Sequence, residues 1–210
     1  MNCLKVEVQG SGRHVHLSEK DFQSLFGKEA EMINVQDMGA GMFRAEQRVV
    51  LKGPRGTIRN VAILGPFREC TQIEVSLTDA RALGVDPPIR MSGDLENSAG
   101  MILEGPLGEV ELQKGVIVAK RHAHLVPEDA ELIGVKTGES ALLYIPGERA
   151  LIYDEVIVRV DDKNDQSEVH LDIDEINAAK LPKFSKGYLI NRKEIEIPDQ
   201  KKWDKERRKV

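Results

Sequence analysis

The sequence predicts a mainly β protein with short helices, arranged as barrels or a sandwich. Three observations predict it. Apolar and polar residues alternate over many short stretches, the period of a half-buried strand. Gly-Pro turns separate them, as in Gly53-Pro54-Arg55-Gly56 and Gly105-Pro106-Leu107-Gly108. Helical patterns are brief, and long ones are lacking, as expected of all-β architectures with many turns.

In chain order, Leu4, Val6 and Val8 alternate with Lys5, Glu7 and Gln9, a strand that runs into Arg13-His14-Val15-His16. Ser18 then caps a short helix whose apolar face is Phe22, Leu25 and Phe26, and Gly27 stops it. Residues 28–47 are mixed in character and predict little regular structure, with Met38-Gly39-Ala40-Gly41-Met42 as a loop. Strand character resumes at Val49–Leu51 and Ile58–Leu64, and Gly65-Pro66 breaks it. Ile73, Val75 and Leu77 alternate with Gln72, Glu74 and Ser76. Thr78-Asp79 opens a helix that ends at Gly84, and Pro87-Pro88 forbids helix or central strand.

Residues 101–119 are β again, and Val116 to Ala119 are apolar on both faces, like a buried strand. That strand delivers Arg121-His122-Ala123-His124. Pro127 with Glu128 and Asp129 starts another helix. Short strands follow around Leu142, Leu151 and Val156–Val160, and a polar loop leads to His170. Asp172 caps a last helix, with Glu175 three residues on and Asn177 within it. The two histidine motifs and the two Gly-Pro turns do not share one period, so the chain carries duplicated supersecondary units rather than a repeat array. Residues 191–210 hold eight Lys/Arg and five Asp/Glu with Trp203 as the only aromatic, a charged C-terminal extension.

Bulk composition narrows the function. The net charge is -5 and the pI about 5.6, so no basic field invites nucleic acid. Aromatics at 4% leave little for base stacking. No apolar run approaches the roughly 18 residues that span a bilayer. Met1 to Lys5 has no signal-peptide character, and Cys3 with Cys70 makes no disulfide framework, so a cytoplasmic protein is expected.

Four of the five histidines sit in the two Arg-His-x-His motifs, and the fifth is His170. On an extended backbone, residues i and i+2 point to one side, so both imidazoles of a pair can reach one ion. Two pairs imply two metals. Two nitrogens leave a divalent ion short of ligands. His170 could complete one site and a carboxylate the other, with Glu74 the choice. Imidazole plus carboxylate suits Zn, with Co, Mn or Fe as alternatives. Arg13, Arg121 and Arg68 beside such ions make sense if an anion bridges them, and phosphate fits the forked guanidinium.

The sequence resembles the PduL-type phosphate propanoyltransferase (phosphotransacylase) family. The matching residues are Ser11 to Ser18, Ile63-Leu64-Gly65-Pro66, Arg68, Thr71 to Ser76, and Thr78 to Arg81. They continue with Ser92-Gly93-Asp94, Gly115-Val116-Ile117, Arg121 to His124, Pro127 to Ala130, His170, and Asp172 to Leu181. The resemblance covers roughly residues 4–181. It implies two β-barrels capped by short α-helices, with the active site at their junction. One barrel would comprise residues 3–12 and 120–190. The other would comprise 13–119, with a small inserted segment near 27–47.

The resemblance also implies chemistry. It implies two divalent ions, most often Zn2+: one on His14, His16, Glu74 and the coenzyme A sulfur, the other on His122, His124 and His170. Arg68 matches the phosphate-contacting arginine, and Ser11 and Asn177 match positions near coenzyme A. The implied reaction joins acyl-CoA (propanoyl-CoA or acetyl-CoA) and phosphate to give acyl phosphate and CoA, by direct attack of phosphate on the thioester. A rival first step has Cys70 attack instead, activated by Arg68. Propanediol degradation and a bacterial microcompartment are the implied setting. However, only Met1 to Cys3 precede the first strand, where packaged members carry an amphipathic extension. A homo-oligomer stays open.

Two other functions use the same residues. A dinuclear hydrolase would cleave the thioester with metal-activated water. Closed structural metal sites would instead clamp two barrels together.

Overall fold

The structure is a computed structural model that describes residues 2–195 except 40 and 183. The described residues form fourteen strands of two to eleven residues and four helices of six to eight. The mainly β expectation holds.

Six strands close a barrel in the order β1 (Cys3–Ser11), β13 (Glu168–Asp172), β10 (His122–Leu125), β12 (Leu151–Val160), β11 (Ser140–Ile145) and β14 (Phe184–Asn191). A second ring runs β9 (Glu109–Ala119), β6 (Gln72–Glu74), β2 (His14–His16), β5 (Thr57–Gly65), β4 (Met42–Lys52) and β8 (Ala99–Glu104), and β8 pairs back to β9. Two further strands, β3 (Asn34–Gly39) and β7 (Ile89–Arg90), lie outside that ring on β4 and β9. Each ring has its own core. Val8, Leu125, Val158, Val169 and Leu189 pack in the first, and Val15, Leu51, Ile63, Ile73 and Leu103 in the second.

The rings match strand for strand, in order and in direction. In each, the histidine strand is antiparallel to one neighbour (β10 to β13, β2 to β6) and parallel to the other (β10 to β12, β2 to β5). In each, the strand that precedes a histidine motif belongs to the opposite ring. β1 pairs β13 in the first barrel, then the chain crosses to β2; β9 pairs β6 in the second ring, then the chain crosses to β10. Both histidine motifs therefore start where the chain passes between the rings.

Three helices start at the signals read from the sequence, and the one expected to open at Thr78-Asp79 starts earlier, at Leu77, where the sequence continues the strand alternation. α1 (Glu19–Phe26) is capped by the Ser18 hydroxyl, which accepts from the Asp21 amide at 3.1 Å. α2 (Leu77–Leu83) is capped by Ser76, and Gly84 ends it at φ 81, the left-handed conformation glycine adopts freely. α3 (Pro127–Ile133) has proline in its first turn. α4 (Ile173–Ala178) carries a full capping box between Asp172 and Glu175.

Two other expectations need correction. Residues 28–47 were expected to have little regular structure, yet β3 and the start of β4 form a hairpin there. Every residue of β3 is exposed, so no buried face imposes the alternation that marks a strand. The expected loop at 38–42 is the hairpin's tip, with positive φ at Gly39 and Gly41. Second, Asn191, read from the sequence as the first residue of the charged C-terminal extension, belongs to the barrel. It ends β14, is buried, and donates to the Ile133 and Gly134 carbonyls at the end of α3. A 3-10 turn follows at Arg192–Glu194, with Arg192 paired to Asp154. Residues 196–210, including Trp203, lie outside the described residues.

Candidate active site at the ring junction

The two crossings bring both histidine motifs to one cavity of about 300 Å³. His14, His16, Glu74, His122, His124 and His170 all line it, with Ser11, Arg13 and Arg68.

The first cluster is set by the β2–β6 ladder, which puts His14 in register with Glu74. The ligand atoms of His14, His16 and Glu74 all lie within 4.8 Å of one another, and all three residues are buried. The His14 ring donates Nδ1–H to the Gly12 carbonyl at 2.9 Å, and His16 does so to Leu64 at 3.1 Å. A carbonyl only accepts, so each Nδ1 carries a proton and each Nε2 is left as the ligand atom. His14 Nε2 stands 3.4 Å from Glu74 Oε2. Burial opposes charge on both partners, but their mutual attraction outweighs it. Glu74 is held well below the usual carboxylate range, and His14 is raised above the ordinary histidine value. Burial, with His14 and Arg68 nearby, pushes His16 down to about 3. Gln72 Nε2 donates to Glu74 Oε1 at 2.6 Å and so orients the carboxylate.

The second cluster repeats the first on the β10–β13 ladder, where His122 is in register with His170. His122, His124 and His170 again have ligand atoms within 4.8 Å of one another. The His122 ring donates Nδ1–H to the Lys120 carbonyl at 2.9 Å, two residues back, as His14 does to Gly12. Glu168 accepts from His170 Nε2 at 2.9 Å, which leaves Nδ1 for the cluster. Gln9 in turn holds Glu168. Burial and the neighbouring His170 push both His122 and His124 down to about 4. Three imidazoles, or two with a carboxylate, whose ligand atoms lie this close are the donor set a divalent cation takes, and an ion would displace the proton that Glu74 favours on His14. The residues therefore fit two such ions.

Arg68 is half-buried in the cavity wall, and its Nη1 donates to Ser92 Oγ at 2.9 Å. Ser92 also accepts from Gln72, so one hydroxyl links the arginine to the residue that holds Glu74. Arg159 was not anticipated from the sequence. It lies on β12 opposite His124, half-buried in the same wall, with no hydrogen bond or ion pair among the described residues. Burial lowers the pKa of both guanidiniums, Glu74 raises it, and Arg159 lowers that of Arg68 further. With no side-chain partner among the described residues, the Arg159 guanidinium offers its forked donors to an anion in the cavity. Only the parallel pairing of β12 with β10 places Arg159 here; its sequence context, Val158-Arg159-Val160, has no distinguishing signal.

The remaining expected residues differ in placement. Ser11 is at the cavity rim. Asn177 is exposed on α4 and does not line the cavity. Arg13 lines it, but its Nε is bonded to Asp79 at 2.9 Å. Arg121 does not line it; its Nε is bonded to Glu175 at 2.6 Å, and its guanidinium lies over Tyr153. Cys70 is exposed and outside the cavity.

A family model described as phosphate propanoyltransferase matches residues 6–182, a span that includes every residue of both clusters. The chain belongs to that family. Its relatives include the phosphate propanoyltransferase of Alkaliphilus metalliredigens, 44% identical over 89% of this chain and 88% of the relative. That of Shewanella putrefaciens is 49% identical over 81% of each chain. That of Thermotoga maritima is 45% identical over 86% of each. Among the described residues, no helix is long and apolar enough to cross a membrane.

Proposed function

We propose that this phosphate propanoyltransferase family member interconverts a short-chain acyl-CoA, propanoyl-CoA or acetyl-CoA, and phosphate with acyl phosphate and coenzyme A. The observation that carries the reading is the single cavity where two ligand clusters meet two arginines from different rings. His14, His16 and Glu74 would hold one divalent ion, and His122, His124 and His170 a second, with zinc suiting both sets. Ions bound there supply Lewis-acid stabilisation of the charge that develops on sulfur and oxygen.

The chain's own residues supply the rest. Arg68 and Arg159 neutralise phosphate and aim one of its oxygens at the thioester carbonyl carbon, since forked donors fix orientation as well as charge. That oxygen forms the new C–O bond as the C–S bond breaks. Hydrogen phosphate dianion thus gives the acyl phosphate monoanion and the coenzyme A thiolate. No acyl-enzyme is needed. Ser11 at the rim and Asn177 on α4 would meet the coenzyme as it leaves the cavity, with the His14–His16 side facing sulfur and the His122–His124 side facing phosphate. We take residues 3–12 with 120–190 as one domain and 13–119 as the other. We take the setting to be the cytoplasm, with microcompartment association unassigned.

Thiol release from propanoyl-CoA and acetyl-CoA, with and without phosphate, tests the proposal on zinc-loaded protein. Release that requires phosphate, and that His122→Ala abolishes, is expected. Equal release without phosphate would make the protein a thioester hydrolase, and a fully active His122→Ala variant would end the two-metal site.

A further inference from the structure

The arginine that precedes each histidine pair has the same partner in both rings. Arg13 Nε bonds the Asp79 carboxylate at 2.9 Å, and Arg121 Nε bonds the Glu175 carboxylate at 2.6 Å. Asp79 and Glu175 hold one position in their helices, the third residue after the cap. Each cap, Ser76 or Asp172, is the second residue after Glu74 or His170. The runs Glu74-Val75-Ser76-Leu77-Thr78-Asp79 and His170-Leu171-Asp172-Ile173-Asp174-Glu175 therefore share one pattern: third ligand, cap, acid. In register, His14 faces Glu74 and His122 faces His170. Each arginine thus clamps the end of the facing strand just beyond its ligand.

The clamp answers a mechanical need. β2 and β6 are three residues long, β10 four and β13 five. Ladders this short set register but resist sliding and splaying weakly, whereas ligand geometry tolerates errors of about 0.5 Å. The acids are also set apart from ordinary surface partners. Asp79 is buried, and Glu175 accepts from both the Asp172 amide and Arg121. Arg121 is fixed further by the Asp154 carbonyl at 2.7 Å and by the Tyr153 ring.

We infer that Arg13 and Arg121 are positioning residues, each holding the third ligand of its own metal cluster through the acid in the first turn of the following helix. The inference rests on the two-metal reading. It makes the arginine of Arg-His-x-His part of the ligand scaffold, and it leaves anion binding to Arg68 and Arg159.

Zinc affinity and stoichiometry of the full-length protein, measured against a chromophoric chelator, test it site by site. The wild type is expected to take two ions. Arg13→Gln and Arg121→Gln should each keep one ion at wild-type affinity and bind the other about 10–100-fold more weakly, the usual effect of losing a group that orients a ligand. Cobalt spectra identify the weakened site: the two-histidine, one-carboxylate set for Arg13→Gln, the three-histidine set for Arg121→Gln. Asp79→Asn and Glu175→Gln preserve side-chain size and should reproduce the two patterns; they decide the matter if the arginine variants do not fold. Two ions held at wild-type affinity in all variants would overturn the inference, whether the variants showed a raised KM for phosphate or only a lower metal-free melting temperature. A wild type that takes no zinc would instead sink the two-metal reading itself.

Discussion

Four histidines of identical type at the junction carry different charges because of their immediate partners. His14 shares its edge with Glu74 and is raised, whereas burial lowers His16 to about 3 and His122 and His124 to about 4. An unfolded histidine titrates near 6.5, so between about pH 6.5 and 4 the unfolded chain binds protons that three of these folded residues refuse. Their contribution is complete above pH 6.5 and is lost as pH falls toward 4. His14 acts in the opposite sense, since its stabilisation is present below the unfolded value and fades as pH rises through its folded value. Three groups outweigh one. The melting temperature of metal-free protein should fall as pH is lowered from 7 to 4.5, and a rise would contradict the assigned charges. Cys70, exposed and outside the cavity, bears on the covalent alternative. Cys70→Ser should leave turnover unchanged; loss of a burst of acylated enzyme in that variant would restore the acyl-enzyme route.

Short elements here depend on side chains that close their ends. α3 has no side-chain cap at its start, and at its end Asn191 of β14 donates to the Ile133 and Gly134 carbonyls. Asn191→Ala would leave the buried Ile133 carbonyl without this donor, at about 1–3 kcal/mol. Urea unfolding should show that loss with kinetics of the active site unaltered, and an unchanged midpoint would refute it. The β3–β4 hairpin is the converse case. Its β3 strand lies outside the ring and is exposed along its length, yet Met38, Gly39 and Met42 at the hairpin's tip line the cavity. β3 has no core face, so its contribution lies at the cavity wall and not in the packing of either ring.

Two rings with separate cores meet at one cavity, and this division governs how the whole molecule should respond to perturbation. Each core packs more than a dozen buried apolar residues, so neither ring relies on the clusters for its fold. Chelation should abolish turnover while far-UV circular dichroism stays native; collapse of that signal would instead make the ions structural clamps. The proposed anion site draws one arginine from each ring. Arg68→Ala and Arg159→Ala should each raise the KM for phosphate on the order of 10–100-fold, the scale of one charged hydrogen-bonding contact of about 1.5–3 kcal/mol. A KM for phosphate unmoved by Arg159→Ala would confine the anion to the Arg68 ring.

The sequence by itself determined what is local or recurrent. Alternation marked β1 because one of its faces is buried, start signals marked the beginnings of α1, α3 and α4, and Arg-His-x-His appeared twice because i and i+2 share a side on a strand. The family resemblance added the two-barrel plan, and the six-strand barrel and the second ring agree with it. Tertiary structure decided what depends on partners far along the chain. β3 shows no alternation because nothing covers it. Glu74 stands on the polar side of the Gln72–Ser76 alternation, yet the neighbours of β6 bury it. Arg159 enters the cavity through the parallel pairing of β12 with β10, a contact that leaves no trace around residue 159. Arg13 and Arg121 looked alike as anion binders, and the helices that follow the facing strands claimed both. A residue's type sets which bonds it can form, and the crossing of two rings sets which partner it meets.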